Sequence, residues 1–383
     1  MGQSKRRIAK LLILLVVLVI ISLTGLGCVS GLQPIGWSGG TVSGDTFFVG
    51  SKEGRLVAIN VIDEGRQWSE AIKAPAQGGG FGCLPTAGAG CGTGSAGVAI
   101  YGTPVVADGL VYIGGYNGKV YAYNSVSLEV RWVYPREDYL EPIVGGLVAA
   151  GGKVCFGSSD GMVYALDAAN GEKQWEFATG DKVWSTPSVD GSVLFVGSFD
   201  GKLYALNMAD GSLKWEFTTE GSVAAAPLVD GDTVYIGSFD RHLYALDAAT
   251  GAMKWKFMGE NWFWARPAVY GNTVYAGCLD GKVYALNAAN GGKLAEFDLG
   301  SPVSSSPVLS DGAIIFAARE GGIYRLNVSS NELGLLADIG EEVYGPISGH
   351  NGIVYIHTQD LSLNRVNANT GAVLMPISLA IKD

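Results

Sequence analysis

The stretch that decides the fold is GKLYALNMADGSLKWEF, residues 201–217. Apolar residues alternate with small or polar ones, the mark of half-buried strands, and MADG between the two runs supplies a turn whose glycine accepts positive φ. The same wording stands 40 residues upstream as GMVYALDAANGEKQWEF and 40 downstream as RHLYALDAATGAMKWKF. Aligned on the residue that opens GKLYALN, the copies begin at Gly54, Gly118, Gly161, Gly201, Arg241, Gly281, Gly321 and Leu361. The spacings are 64, 43 and then 40 throughout.

One copy, residues 182–217, parses into four strands: KVWSTPSV, SVLFVGS, GKLYALN and LKWEF. An Asp-Gly hairpin turn joins the second and third. Four strands of about 5–6 residues with short turns come to roughly 40 residues. A four-stranded sheet with two apolar faces cannot stand alone in water, so copies must stack face to face. Radial stacking gives a β-propeller. The sequence therefore predicts an all-β, eight-bladed propeller of four-stranded antiparallel blades over residues 28–383. The extra residues of the first spacing fall in a Gly- and Cys-rich insertion at about 71–97, GGGFGCLPTAGAGCGTG at its centre.

Three copies carry a more specific frame. Ala165, Asp167, Asn170, Gly171 and Trp175 recur as Ala205, Asn207, Gly211 and Trp215, and as Ala245, Asp247, Thr250, Gly251 and Trp255. The frame resembles the tryptophan-docking repeat of quinoprotein-like propellers, a family that holds pyrroloquinoline quinone (PQQ) dehydrogenases and non-enzymatic relatives. Ala and Gly leave room for an indole to lie flat against the backbone. Trp68, Trp132, Trp175, Trp215 and Trp255 are the expected docking residues; Ala295, Leu335 and Met375 replace them in the last three copies, which should be looser. In length, leader and blade number the chain is similar to the BamB family, the lipid-anchored propellers of outer-membrane β-barrel assembly. That resemblance implies a non-catalytic scaffold that binds an envelope protein or peptide outside the cytoplasm.

The N-terminus reads as a separate unit, residues 1–27. KRRIAK is a basic region, and Leu11 to Ile21 form an uninterrupted apolar run of the length of a secretory signal rather than of a membrane span. LTGLGC follows, ending at Cys28, and resembles a bacterial lipoprotein signal. Cleavage there would leave a lipid on Cys28; an uncleaved signal anchor and plain secretion are the other readings. All three place the body at the outer face of the cytoplasmic membrane or in the periplasm. Cys83 and Cys91 in the insertion are a candidate disulfide there. Cys155 and Cys278 are expected buried and reduced. Net charge is −10, and with Lys5, Arg6, Arg7 and Lys10 in the leader the rest carries 22 basic against 36 acidic residues, or −14. An acidic body argues against nucleic acid, whose phosphates need Lys and Arg.

The turns between copies, and those between second and third strands, open on one face of the disc, where the insertions also fall. Function concentrates in such loops. Near the start of the innermost strand, three residues before its proline or the equivalent, stand Trp37, Tyr101, Val144, Trp184, Ala224, Trp264, Ser304 and Val343. With Trp262, Phe263 and Arg266 of ENWFWARP, the aromatics Trp37, Tyr101, Trp184 and Trp264 form a candidate channel mouth for a flat ligand or an apolar peptide. They would otherwise simply plug the channel. Asp160, Asp200, Asp240, Asp280 and Asp360 of the hairpin turns read first as turn formers and second as an acidic ring for calcium or a basic partner.

Catalytic signals are weak. GSSDG at 157–161 copies a nucleophile elbow in letters, but the equivalent GSFDG and GSFDR make it a hairpin. GTGSAG at 92–97 opens no helix, as a nucleotide loop must. His242, His350 and His357 lack metal-ligand spacing, and no metal site is expected. A PQQ dehydrogenase of the resembled family would offer two adjacent cysteines, which this chain lacks. The reading is therefore a non-enzymatic scaffold without PQQ or calcium, with a small-molecule or glycan binder, or a PQQ dehydrogenase, as alternatives.

Overall fold

The computed structural model describes residues 38–51, 53–72, 98–358 and 361–380, all within one compact unit spanning 36–383. These residues form no helix. They make eight four-stranded antiparallel sheets, each of four consecutive strands, and the chain is an eight-bladed β-propeller. Blades 1 to 8 run over 40–68, 105–134, 148–178, 188–218, 228–258, 268–298, 308–338 and 348–378. Blade 4 is representative, with strands Ser188–Asp190, Val193–Gly197, Lys202–Asn207 and Leu213–Thr218. The innermost strand is short, so little backbone crowds the axis.

Burial differs across a blade. The second and third strands are buried on both faces: Leu194, Phe195, Val196, Leu203, Tyr204, Ala205 and Leu206 are all inaccessible or nearly so. Only the outer strand alternates. The strict half-burial expected of every strand gives way because each sheet is sandwiched between two others. The core is accordingly divided into eight clusters, one at each boundary. Phe195, Leu203 and Ala205 of blade 4, for example, pack on Val234, Ile236, Tyr244 and Leu246 of blade 5.

Tryptophan docking turns out to act across these boundaries. Within its own blade, Trp175 lies opposite Ala165 and Trp215 opposite Ala205. The indole, however, reaches the next blade. Nε1 of Trp132, Trp175, Trp215 and Trp255 donates to the carbonyls of Ala168, Met208, Ala248 and Ala288, at 3.0, 3.1, 3.1 and 2.8 Å. Each ring lies on the turn glycine of that next blade. A Cβ at Gly171, Gly211, Gly251 or Gly291 would sit 2.6 Å from Cε3 of the docked ring, closer than any real contact. Glycine is thus required there by the neighbour as well as by its positive φ.

Trp68 behaves differently. Its strand is shifted by one residue, so that Ala58 pairs with Gln67 and Trp68 faces Val57. Its Nε1 donates to Leu379 O of blade 8 at 3.1 Å, not to blade 2. The ring therefore closes without a shared blade, by side chains: Arg66 Nη1 donates to Ser378 O at 2.9 Å, Arg365 pairs with Glu64 at 2.7 Å, and Phe47 stacks on Tyr355 at 5.0 Å. One apolar cluster joins Phe47, Val49 and Val57 of blade 1 to Tyr355, Leu363 and Ile377 of blade 8.

Cys155 and Cys278 are free, buried thiols, and desolvation pushes both up to about 12. Cys155 lies in a strand; Cys278 stands just past one. Cys28, Cys83, Cys91 and Trp37 lie outside the described residues.

Candidate functional site

The chain runs up one strand and down the next, so the inter-blade turns and the turns between second and third strands share a face, here called the upper face. Four aspartates of those turns, Asp160, Asp200, Asp240 and Asp280, are engaged in hydrogen bonds, and Asp360 lies outside the described residues. Tyr164, Tyr204, Tyr244 and Tyr284 donate their hydroxyls to Oδ2 of Asp160, Asp200, Asp240 and Asp280, at 2.9, 2.6, 2.7 and 2.7 Å. Oδ1 accepts the N–H two residues on, at 2.8 to 2.9 Å. Oδ2 of Asp200, Asp240 and Asp280 also accepts an N–H of the preceding inter-blade turn, from Gly180, Glu220 and Glu260. These carboxylates are rivets between blades. For Asp240 burial acts to raise the pKa, but hydrogen bonds from Tyr244, His242 N–H and Glu220 N–H outweigh it and hold the carboxyl below its ordinary value. Among the described residues no group of three His, Cys, Asp or Glu side chains is placed to hold a metal.

The channel opens on the upper face through a mouth of about 260 Å³. Tyr101, Trp184, Trp264 and Tyr344 supply its large walls and Val144, Ala224 and Ser304 its small ones. Large and small residues alternate from blade 2 to blade 8, which lets bulky rings share a narrow circle. Below the mouth the channel widens to about 590 Å³. Thr103, Thr186, Ala226, Arg266, Ser306 and Pro346 line both parts. Among the described residues Arg266 is the one charged residue lining the mouth, its side chain exposed to the channel. Desolvation by the surrounding protein lowers its pKa, yet a guanidinium stays cationic at neutral pH.

Three expectations change here. Phe263 is fully buried and packs with Tyr235, Leu243 and Phe257, in the place taken by Val183, Val223 and Val303 in other blades. It is core, not mouth. Val343 is likewise buried, and Tyr344 occupies the mouth in its stead, because Pro346 stands one residue earlier than the other prolines and shifts a count made from it. Trp262 lies outside the mouth, on the rim, with 42% of its surface exposed.

That rim holds a continuous run of aromatic contacts. Trp184 meets Phe199 edge-on at 4.7 Å, Phe199 meets Phe239 at 5.8 Å, and Phe239 stacks on Trp262 at 4.4 Å and on Trp264 at 5.3 Å. Trp184 is held by its Nε1 donating to Ser159 Oγ at 2.9 Å. On the other side Tyr101 meets Tyr116 at 5.4 Å, and the Arg319 guanidinium covers Tyr344 at 5.2 Å. Burial, with a smaller contribution from Tyr116, pushes the Tyr101 phenol up to about 12, so it remains a neutral donor. Sequence reading missed Phe199 and Phe239; their signal was the residue before each turn aspartate, which must point to the same face as the mouth.

The fold and mouth define a repeat propeller with a closed ring and a polar-lined, aromatic-walled channel. The family described as "Outer membrane protein assembly factor BamB" matches residues 29–183 and 159–374, and the chain belongs to that family. Among solved structures, BamB from Moraxella catarrhalis superposes with a TM-score of 0.68 at 18% identity, covering 86% of this chain and 96% of that one. The computationally designed Ika8 protein gives a TM-score of 0.70 at 15% identity, covering 87% of this chain and 97% of its own. At such identities these likenesses concern the fold. No curated protein matches the chain significantly in sequence.

Proposed function

We propose that the protein is a non-catalytic scaffold that binds an envelope protein or peptide outside the cytoplasm, in envelope protein assembly, and is tethered to the membrane through a lipid on Cys28. Its family, described as an outer-membrane protein assembly factor, supports the envelope setting. The observation that carries the binding role is the rim of Phe199, Phe239 and Trp262. These rings sit on loops of a rigid β scaffold, and Trp262 is substantially exposed. Aromatic side chains at such places supply large contact area at small entropic cost. No PQQ or calcium is part of this reading, since the turn carboxylates that a cation would need already hold tyrosine hydroxyls and backbone N–H groups.

The test is a photo-crosslinking residue at position 260, an exposed neighbour of Trp262 on the same turn, activated in intact cells. A discrete envelope protein should be captured, and F239A/W262A, with unchanged circular dichroism, should lose it in pull-down. Crosslinks spread over many proteins without a dominant product, or capture unaffected by the double change, would overturn the scaffold reading.

A further inference from the structure

We infer that the mouth of the channel is a binding site for a small carboxylate carried on a flat apolar group, with Arg266 as its counter-ion. This site does not depend on the scaffold role; it is built from different residues. At the position of Arg266 the other blades carry Gly39, Thr103, Gly146, Thr186, Ala226, Ser306 and Pro346, so the guanidinium has open space before it. Among the described residues no carboxylate lines the mouth, and the one that lines the deeper channel, Asp230, makes no ion pair with Arg266. An unpaired cation is thus held in the channel of a protein whose net charge is −10.

The hydroxyls around it are arranged as donors. Thr186 Oγ1 accepts the Gly146 N–H at 2.7 Å, and Ser306 Oγ accepts the N–H of Arg266 itself at 3.2 Å. A hydroxyl that accepts from the backbone still has its own proton to give. Ser304, on the mouth wall of the next blade, is 8% exposed, and its Oγ has no hydrogen-bond partner. A buried polar atom without a partner is costly unless something fills the place. Guanidinium and hydroxyls together ask for an oxyanion, and Trp184, Trp264 and Tyr101 ask for a flat apolar body above it. One guanidinium balances one negative charge. A phosphate, at about −1.5 to −2, would leave an excess in an already acidic chain.

The experiment is calorimetric titration of the full chain in detergent with four probes: benzoate, 2-naphthoate, benzamide and phenyl phosphate. The two carboxylates should bind, the larger ring more tightly, and neutral benzamide should not. R266Q should weaken benzoate about 10- to 100-fold, the range of a lost charge-assisted hydrogen-bond pair. S304A should weaken it a few-fold, with thermal midpoints unchanged in both variants. Equal binding of benzamide and benzoate, no effect of R266Q, tighter binding of phenyl phosphate than of benzoate, or no binding of either carboxylate at millimolar concentration would each overturn the assignment. The W262A protein serves as the cross-check, since Trp262 lines no part of the mouth. It should keep the carboxylate site while losing the protein partner, so failure of one reading is seen apart from failure of the other.

Discussion

The ring has two unlike halves. At the boundaries between blades 2 and 3, 3 and 4, 4 and 5, and 5 and 6, a tryptophan of one blade lies on a glycine of the next and donates to its backbone. At the other four boundaries it does not. Where the tryptophan is missing or turned away, the receiving turn is mostly no longer glycine: Asn331, Glu64 and Leu128 hold the left-handed position, at φ of 58°, 59° and 54°. The alanine beneath the ring changes too, to Arg325 and Arg365 in blades 7 and 8. In blade 8 the arginine takes over the joint, donating to Met375 O at 2.7 Å and pairing with Glu64 across the closure. The motif is therefore a contact between two blades, written with one end in each. It persists only where both ends do.

The sharpest way to break this comparison is to remove a docked ring. Trp175→Ala should destabilise the fold by about 3–5 kcal/mol, through the lost transfer energy and the cavity left between blades 3 and 4. Leu335→Ala, at the same repeat position in blade 7 but 62% exposed, should stay within about 0.5 kcal/mol. Urea unfolding measures both. Equal losses would mean that the two halves are held in the same way. Next in size is the receiving glycine. Gly251→Ala places a Cβ against Trp215 and also strains a φ of 74°, and should cost about 1–3 kcal/mol. Asn331→Gly, at a boundary where Ala295 docks nothing, should be close to neutral.

Much of the fold was legible because the period was. Forty residues, four strands and three turns leave almost no architecture but a propeller, and the frame from Ala205 to Trp215 named the repeat. The direction of docking was not legible. Every regular copy contains both tryptophan and glycine, so sequence spacing alone cannot tell a contact within one blade from a contact between two. The one-residue slip that turns Trp68 toward Leu379 is equally invisible, since the letters still fit the frame. At the mouth, counting from the proline misplaced Tyr344, whereas the strict 40-residue step from Trp264 and Ser304 would have found it. Phe263 could have been set aside in the same way, by its register with Val183, Val223 and Val303. The donor character of Thr186 and Ser306 depends on which N–H groups they meet, and no sequence pattern carries that.

The smallest expected difference between the halves lies in their response to pH. Blades 3 to 6 fasten a tyrosine to a charged aspartate; blade 2 makes the same joint with a neutral partner, Asn117 Nδ2 donating to Tyr121 Oη at 2.8 Å, and blade 7 turns Tyr324 to the Leu299 carbonyl. Asp240 has its folded pKa below the ordinary 3.8, so its contribution is complete above that value and is lost as pH falls through the lower folded one. Tyr204, Tyr244 and Tyr284 are raised above 10.0, by burial first and by their aspartates second. Their contribution is complete below pH 10 and is lost as pH climbs toward the raised value. Asp240→Asn should flatten the acid limb of a stability–pH curve and lower the neutral plateau somewhat, because the amide oxygen keeps the His242 N–H and the amide NH2 donates to Tyr244 as Asn117 does to Tyr121, but no acceptor is left for the Glu220 N–H. Asn117→Asp should do the reverse and add an acid limb that blade 2 now lacks. Burial of Asp240 opposes the hydrogen bonds that depress it, so both changes should be modest, and an acid limb insensitive to either would mean that these joints do not set the pH range of the ring.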